Sequence, residues 1–554
     1  MVPFGQHVNR FFQGVAVMSS VQARVRDTQI RTGNRRRMMK ISFLFPAVLL
    51  SAPIWSRSGR RGAIAPKAAR PGMILGRSAG VLAGLLLAVS VARLSAQEKP
   101  IPQGGVFDPN SGAGVSDVAR QEKSLPQDEV LELPSRAIPL ETILPVPENL
   151  LPEKAPSASA WQLLPVGPGP KEKSPSANRD AGSGVGDQQP VPVQWVVGVT
   201  PDGQSDETRA QLAVQIVPPP SASPGENSPR QPAPEEKVLP GALRYRLQKA
   251  PAAAPEAFQW KQLGPASLGL WEGKMPVLVY NHGPITNPSV PAKDHRRTRA
   301  CYVHPLYGLQ GEVLTDDFPK DHYHHHGVFW AWPHIVIEGK EHDLWAGATI
   351  RQEFVRWLAR QSGPVCAVLG VENGWYVAGK KVMVERIWFW VYRTVPGRHR
   401  SIDIALYLEP TDQPVTLWGA PEKSYGGLTV RFAPSARPQT QNTVTTGRTT
   451  EDLLDTRLKW ADFTSQMLGS SFRSGAAILI HPQHPDYPPT WLTRHYGAMC
   501  VGWPGVRPKT LHPGQPVRLP YRLWIHPGPV ELEELTAAYE AFCAAAEQVR
   551  WMRP

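Results

Sequence analysis

The chain has 554 residues, a formal net charge of +13 and 41% hydrophobic residues. A strongly basic chain suggests a nucleic-acid partner, but residues 1–72 hold thirteen Lys or Arg against one acid, Asp27, and so carry +12 of that charge. The remainder is close to neutral, which excludes this argument for nucleic-acid binding, and we predict no nucleic-acid partner. We interpret residues 1–72 as disordered, or as lying before the true translation start.

The segment that begins at Met73 has the pattern of a secretory signal peptide. Arg77 provides the basic start, an apolar run extends from Ala79 to Ala92, and small residues follow up to Ala96. The apolar run is short for a membrane helix, which needs about 20 residues. We therefore predict a signal peptide at 73–96, no stable membrane span beyond it, and export to the periplasm, cell envelope or exterior. An uncleaved anchor is the alternative.

Residues 97–250 differ in composition from the rest of the chain. Prolines are dense, as in Pro218–Pro220, and they are mixed with Gly, Ser, Gln and charged residues. Such a stretch has too little apolar surface to offset its conformational entropy. We predict a disordered, Pro-rich spacer, interrupted by one hairpin that pairs Val191–Val199 with Leu212–Val217.

Residues 251–552 carry a long series of strand patterns. Short apolar runs are separated by Gly or Pro turns without helical patterns between them, which favours an antiparallel meander over a βαβ fold. The helical spacing of apolar residues in 532–549 predicts a C-terminal helix. Strands are predicted at 268–273, 276–280, 327–337, 348–358, 365–372, 381–394, 401–408, 427–432, 476–481, 495–503 and 517–526.

The alternation of side chains within these runs indicates the fold class. Ile402, Ile404 and Leu406 would share one strand face. The segment 387–392 is apolar on both faces, which is typical of a central strand covered on both sides. We therefore predict an all-β fold, a large antiparallel β-sandwich over 251–552 with a C-terminal helix as its cover.

One segment concentrates the titratable side chains. Imidazoles titrate nearest neutral pH and are common metal ligands, and neighbouring carboxylates can orient them. If the segment were extended, alternate histidines would share a face. We expect His322, His324 and His325 at a reacting centre, with Asp321 orienting a ring. The alternatives are a divalent transition metal on His322, His324 and Asp321, or a purely structural cluster. The segment's residues are Asp316, Asp317, Asp321, His322, His324, His325 and His326.

Further residues are candidates for the same site. Glu385, on a central strand, would be a second acid or base; the alternative is a solvated surface carboxylate. The remaining candidates would bind substrate: the glycines at 426–427 let a backbone approach a ligand closely or form a bulge, Arg494 can clamp a carboxylate, and tryptophan faces stack on sugar rings. We expect Trp330 and Trp345 to be the exposed tryptophans. The substrate-binding candidates are Lys423, Tyr425, Arg494, Trp330, Trp345 and His481.

Three motifs resemble the PmoA-like family of exported bacterial proteins, often labelled "methane oxygenase PmoA". They are YVHPLYGLQGEVLTDDFPKDHYHHHGVFWAW, KSYGGLTVRF and HPQHPDYPPTWLTRHYG, and the resemblance covers about 255–530. The family pattern D-H-x-H-H-R-G corresponds to Asp321, His322, His324, His325 and Gly327. His326 stands where the family has Arg, Ile480 where it has Asp, and Leu492 where it has His.

The resemblance implies a large all-β domain similar to the supersandwich of aldose epimerases and glycan lyases, which is a comparison of folds alone. A membrane monooxygenase subunit would need several apolar helices of about 20 residues, which the sequence lacks. We therefore predict an exported carbohydrate-active enzyme that uses histidine acid–base chemistry on a saccharide or glycan and requires no cofactor. The alternatives are a metal-dependent oxidoreductase, as the family label implies, and a non-catalytic glycan-binding or envelope module.

Overall fold

The computed structural model describes residues 130–134, 139–147, 161–166, 189–217, 242–436 and 439–552. The basic segment 1–72 and the predicted signal peptide at 73–96 lie outside these residues. Among the described residues, strands dominate, and no helix has the length and apolarity needed to cross a membrane. The predicted all-β class is confirmed.

The elements are labelled in chain order. The helix α1 spans Leu532–Gln548, between the last two strands, and a short 3-10 helix spans His295–Arg297. The strands of the described residues are β1 (Val130–Pro134), β2 (Leu140–Pro145), β3 (Trp161–Pro165), β4 (Val191–Val199), β5 (Ser205–Ile216), β6 (Ala242–Lys249), β7 (Phe258–Gln262), β8 (Ser267–Glu272), β9 (Met275–Asn281), β10 (Ile285–Thr286), β11 (Thr298–Arg299), β12 (Tyr302–Leu306), β13 (Val328–Ala331), β14 (His334–Ile337), β15 (Lys340–His342), β16 (Ile350–Gln361), β17 (Cys366–Val377), β18 (Lys380–Tyr392), β19 (Arg400–Pro410), β20 (Val415–Trp418), β21 (Gly427–Arg431), β22 (Gln441–Val444), β23 (Gly447–Thr449), β24 (Thr456–Arg457), β25 (Trp460–Gln466), β26 (Arg473–Ile480), β27 (Thr490–Arg494), β28 (Ala498–Gly502), β29 (Lys509–Leu511), β30 (Val517–Pro527) and β31 (Arg550–Met552).

Two large antiparallel sheets share one hydrophobic core. One sheet, here called the histidine sheet, has the described strand order β24-β27-β28-β21-β13-β12-β9-β8-β7. The other, called the central sheet, has the described order β16-β17-β18-β19-β30-β26-β25-β22-β23. Buried residues of both sheets, such as Trp330 and Phe389, belong to the same cluster. The predicted sandwich of two facing sheets is therefore present.

The central sheet is covered on both faces, as the pattern of 387–392 predicts. Ile387 and Phe389 of β18 lie in the core between the two large sheets. Trp388 and Trp390 point to the other face and pack there with Val196 of β4. Because a strand alternates its side chains between two faces, a strand that is apolar throughout needs a layer on each side.

That further layer is a third sheet, called the N-terminal sheet, of described order β2-β5-β4-β3-β6-β1-β31. The β4–β5 pairing, with Val193 opposite Val214, confirms the predicted hairpin. The disordered spacer predicted for 97–250 is wrong for β1 to β6, because these short strands bury residues such as Leu131 against one another. The folded unit also extends before residue 251, since β31 at the other end of the chain pairs with β1.

Helix α1 joins the central and N-terminal sheets. Its residues Leu535, Tyr539 and Phe542 pack with Trp524 of the central sheet. Ala544 and Ala545 pack against the N-terminal sheet instead. The predicted C-terminal helix is present, and its two apolar edges fix the third sheet in place. A small sheet of described order β15-β14-β20-β29 completes the fold.

Candidate functional site

The histidine cluster lies in the connection from β12 to β13 on the histidine sheet. The chain turns there, because the amide of His325 donates to the carbonyl of His322 at 2.9 Å and the amide of Phe318 donates to the carbonyl of His325 at 3.1 Å. The segment is therefore not extended, and the condition under which alternate histidines would share a face is not met. The turns bring the rings together by a different route.

Arg431, at the end of β21, organises the exposed side of the cluster. Its Nη2 lies 3.0 and 3.1 Å from the two carboxylate oxygens of Asp321, and its Nη1 donates to Nδ1 of His325 at 3.5 Å. The guanidinium also lies 4.7 Å from the ring centre of Tyr496. Burial alone would raise the pKa of Asp321, but Arg431 and His322 lower it. Arg431 stands within the second quoted motif, yet the sequence prediction missed it.

The histidine rings pack face to face and edge to face. The rings of His322 and His325 are stacked 4.5 Å apart, and Tyr496 stacks on His322 at 5.2 Å. His324 meets the edge of this stack, 4.8 Å from the ring of His325. Nδ1 of His322 lies 3.0 Å from Asp321, which brings together the pair predicted to orient an imidazole.

A second carboxylate–imidazole pair lies deeper. Asp317 contacts Nδ1 of His326 at 2.8 Å and accepts a hydrogen bond from the hydroxyl of Tyr302 at 2.9 Å. His326 is 2% exposed. The sequence prediction placed Asp317 in the cluster but missed its partner Tyr302, which precedes the cluster on strand β12.

The local environment raises the pKa values of two acids in the cluster and lowers those of three imidazoles. Burial raises the pKa of Asp317 to about 6 and also raises that of Asp316. Burial, reinforced by His322 and Arg296, lowers the pKa of His324 to about 4. The pKa values of His325 and His326 lie well below the ordinary value, mainly because of burial. At neutral pH these three imidazoles are neutral. Asp317 is protonated below about pH 6 and ionised above it.

The two tryptophans expected to be exposed are buried. Trp330 is 0% exposed because it points into the core between the two large sheets, towards Phe389. Trp345 is 6% exposed but belongs to the cluster, with its ring 5.9 Å from His325 and 4.8 Å from Tyr425. Side chains alternate along β13, so Phe329 faces the histidines while its neighbour Trp330 faces the core between the sheets.

Glu385 does not join the cluster. It is 0% exposed within the sandwich, where it accepts hydrogen bonds from Gln352 at 2.7 Å, Asn373 at 2.8 Å and Trp375 at 2.6 Å. Burial raises its pKa although these donors oppose the shift. Both interpretations of Glu385 from sequence, a cleft carboxylate and a solvated one, are therefore replaced by a buried acceptor in a polar network.

The loop before β21 carries two further candidates. Tyr425 is half-buried against Trp345, whereas Lys423 is exposed in the adjoining turn. Gly427 has φ +134°, and a Cβ there would lie 2.4 Å from the carbonyl oxygen of Val501. The glycine thus permits the close approach of strand β28, which is a structural reason for a glycine at this position.

The third motif divides between two places in the fold. Arg494 lies two residues before Tyr496, and its Nη1 is 3.9 Å from Asp452, so it borders the cluster. His481 follows β26 of the central sheet, and its ring packs against Phe542 of α1. It lines a different cavity with Arg518 and Arg522, and the prediction that His481 completes the histidine site is wrong.

The metal alternative concerns the donor atoms of His322, His324 and Asp321. Among the described residues, no group of three His, Cys, Asp or Glu side chains converges as metal ligands. His322 and His325 present ring faces to each other, and Nδ1 of His325 is engaged by Arg431. The predicted ligands His322 and Asp321 lie 3.0 Å apart, and a metal held by His322, His324 and Asp321 stays an alternative prediction.

Residues 270–540 match the model of a family of unknown function, DUF6807. The match runs from β8 into α1, so it covers the two large sheets except β7 and leaves out the described strands before β7. No curated protein matches the chain. The family match does not bear on the PmoA-like resemblance, which stays a prediction.

Proposed function

We propose that the protein is an exported enzyme that acts on a saccharide by acid–base chemistry at the histidine cluster, as an epimerase, a lyase or a hydrolase. One observation carries the proposal: within the cluster, burial raises the pKa of the carboxyl group of Asp317 and lowers the pKa of the imidazole of His324. Environments that separate the pKa values of adjacent groups assign them acid and base roles. A reaction that removes one proton and returns another needs such a pair.

The roles follow from position. His324 is half-buried and neutral, so it can accept a proton from a substrate. Asp317 supplies the second proton through His326, whose Nδ1 lies 2.8 Å from its carboxyl group. Arg431 is a positioning residue, because it holds Asp321 and His325 in one arrangement. His322, whose side chain is 34% exposed, is the imidazole at the open side.

The surroundings of the cluster support a saccharide as the substrate class. Tyr496 and Tyr425 are half-buried rings beside the histidines, and such rings stack on sugar faces. Lys423 is exposed next to Tyr425 and offers a donor to hydroxyl or carboxylate oxygens. Arg494, two residues before Tyr496 in the chain, is a further guanidinium at the border of the cluster.

The proposal is tested by turnover of a panel of neutral and acidic oligosaccharides. We expect His324→Ala to lower kcat/KM on any turned-over member by about 100-fold or more, the usual loss for a general base. The matched control is His334→Ala, which removes an imidazole stacked on Trp418 in the small sheet. It should leave kcat/KM unchanged.

Two outcomes would contradict the proposal. If His324→Ala and His325→Ala both retained wild-type turnover, the cluster would not be the reaction centre. If saccharides bound without turnover, and binding survived loss of the histidines but not of Tyr425 and Tyr496, the protein would be a glycan-binding module. The aromatic rings beside the cluster are the observation that favours this second function.

A further inference from the structure

A cavity of about 400 Å³ lies among the central sheet, the N-terminal sheet and α1. Its volume is in the range of small-molecule sites. None of the cluster histidines at 322–326 lines it, and the proposed reaction does not use it.

The strand register produces the space. On the face of the central sheet that points towards the N-terminal sheet, Ala405 lies opposite Pro520 in adjacent strands β19 and β30. The pairs on either side, Asp403 opposite Arg522 and Tyr407 opposite Arg518, carry larger side chains. A row of small residues between two rows of large ones leaves a recess, because cross-strand neighbours lie side by side on one face. Arg209 and Gln211 of β5 and Phe542 of α1 line the opposite sides.

Some charged side chains that line the cavity form ion pairs within the described residues, and one does not. Arg522 is bound to Asp403 through two hydrogen bonds of 2.6 and 2.9 Å, and Glu141 contacts both Arg522 and His399. The two acids of the lining are therefore already paired. Arg518, by contrast, has no carboxylate within 4.0 Å among the described residues, and it donates to Gln483 at 3.4 Å. The cavity thus offers a guanidinium without a paired anion.

Two uncharged donors accompany Arg518. The backbone amide of Gln483 donates to Nδ1 of His481 at 3.1 Å, so the ring carries its proton on Nε2 and donates from there. Burial, with the positive field of Arg518 and Arg522, lowers the pKa of His481 to about 3, which keeps this tautomer neutral. The indole Nε1 of Trp390 is buried and has no acceptor within the described residues, and a buried donor without a partner is costly.

We propose that this cavity binds a small ring-bearing anion, with its acidic group on Arg518 and its ring against Trp390 and Tyr407. A hexuronate is the simplest probe of this chemistry, because it combines one carboxylate with a hydroxylated ring. Arginine binds carboxylates strongly through its planar donors. The rings of Trp390 and Tyr407 supply the flat surface that a sugar ring requires. The site is independent of the histidine cluster.

The test is isothermal titration calorimetry of the full-length protein with galacturonate, and with galactose as the uncharged match. We expect galacturonate to bind and galactose to bind at least tenfold more weakly. Arg518→Gln should weaken galacturonate binding at least tenfold, and because Arg518 is half-buried at the cavity edge, the variant should fold, as checked by circular dichroism.

Two control variants locate the site. Arg448→Gln removes an exposed arginine that pairs with Glu531, and it should leave binding unchanged. His324→Ala alters the histidine cluster and should also leave binding unchanged, which separates this site from the proposed reaction centre. Absence of galacturonate binding, equal binding of galactose, or wild-type affinity in Arg518→Gln would each overturn the proposal. Loss of binding in His324→Ala would place the ligand at the histidine cluster instead and would equally overturn it.

Discussion

Residues of the cluster that look alike in the sequence differ in burial and in their partners. Asp321 and His322 are partly exposed, whereas His325 and His326 are buried and hold partners. The concentration of histidines was sufficient to predict a cluster of titratable side chains in this segment. Their partners Arg431 and Tyr496 could not be predicted, because they lie more than 100 residues along the chain and reach the cluster through strand pairing in the histidine sheet.

Glu385 gives a prediction at the scale of one residue. Glu385→Leu should lower the free energy of unfolding by about 3 to 5 kcal/mol, since it leaves buried donors on Gln352, Asn373 and Trp375 without an acceptor. Chemical denaturation at neutral pH measures the change.

A carboxylate on an outer strand of the same sheet provides the control for Glu385. Glu353→Leu removes a side chain that is 40% exposed and pairs with Arg351. It should change the free energy of unfolding by less than about 0.5 kcal/mol, as expected for a surface pair. Equal effects of the two substitutions would show that the buried network around Glu385 contributes no more than a surface ion pair.

At the scale of elements, strand patterns predicted the central sheet well. The runs at 381–394 and 401–408 correspond to β18 and β19, and the doubly apolar strand is covered on both faces. The N-terminal sheet was missed for a physical reason. Its strands are short and separated by long Pro-rich stretches, so their apolar residues are buried only when distant strands pair with one another and pack on α1 and the central sheet, which lie much later in the chain.

The N-terminal sheet leads to a prediction about truncation. A chain beginning at Pro251 should expose the face of the central sheet that carries Trp388, Trp390 and Tyr407. Large exposed apolar patches cause association, so we expect lower solubility and stronger binding of a hydrophobic dye than in the full-length protein. Removal of residues 1–129 serves as the control, because all described strands remain. Equal solubility and dye binding for the Pro251 and control truncations would contradict the packing role of this sheet.

At the scale of the whole molecule, the chain stacks three sheets, with a polar site at each of the two interfaces and a further one on the first sheet. The histidine cluster lies on the first sheet, the Glu385 network lies between the first and second, and the Arg518 cavity lies between the second and third. The family match covers most of the first two sheets. The third sheet, which lies before the match except for β31, supplies part of the Arg518 cavity through Arg209 and Gln211.

The sequence predicted the sandwich and the location of the cluster, but not this division into separate sites. His481 and the cluster histidines belong to one family resemblance, yet the fold places them on different sheets. A shared family resemblance does not determine on which face of a strand, or at which end of a sheet, a side chain emerges. The pairing of β26 with β30 places His481 near Arg522.

The most direct test of the acid–base account is the pH dependence of kcat/KM on a turned-over saccharide, in wild type and in Asp317→Asn. As pH falls through about 4, His324 takes up a proton and can no longer act as a base. As pH rises through about 6, Asp317 loses the proton that it supplies through His326. We predict a bell-shaped profile with its maximum near pH 5 in wild type, and a low residual activity without the alkaline limb in Asp317→Asn. An unchanged alkaline limb in the variant, or a wild-type maximum above pH 7, would contradict the account.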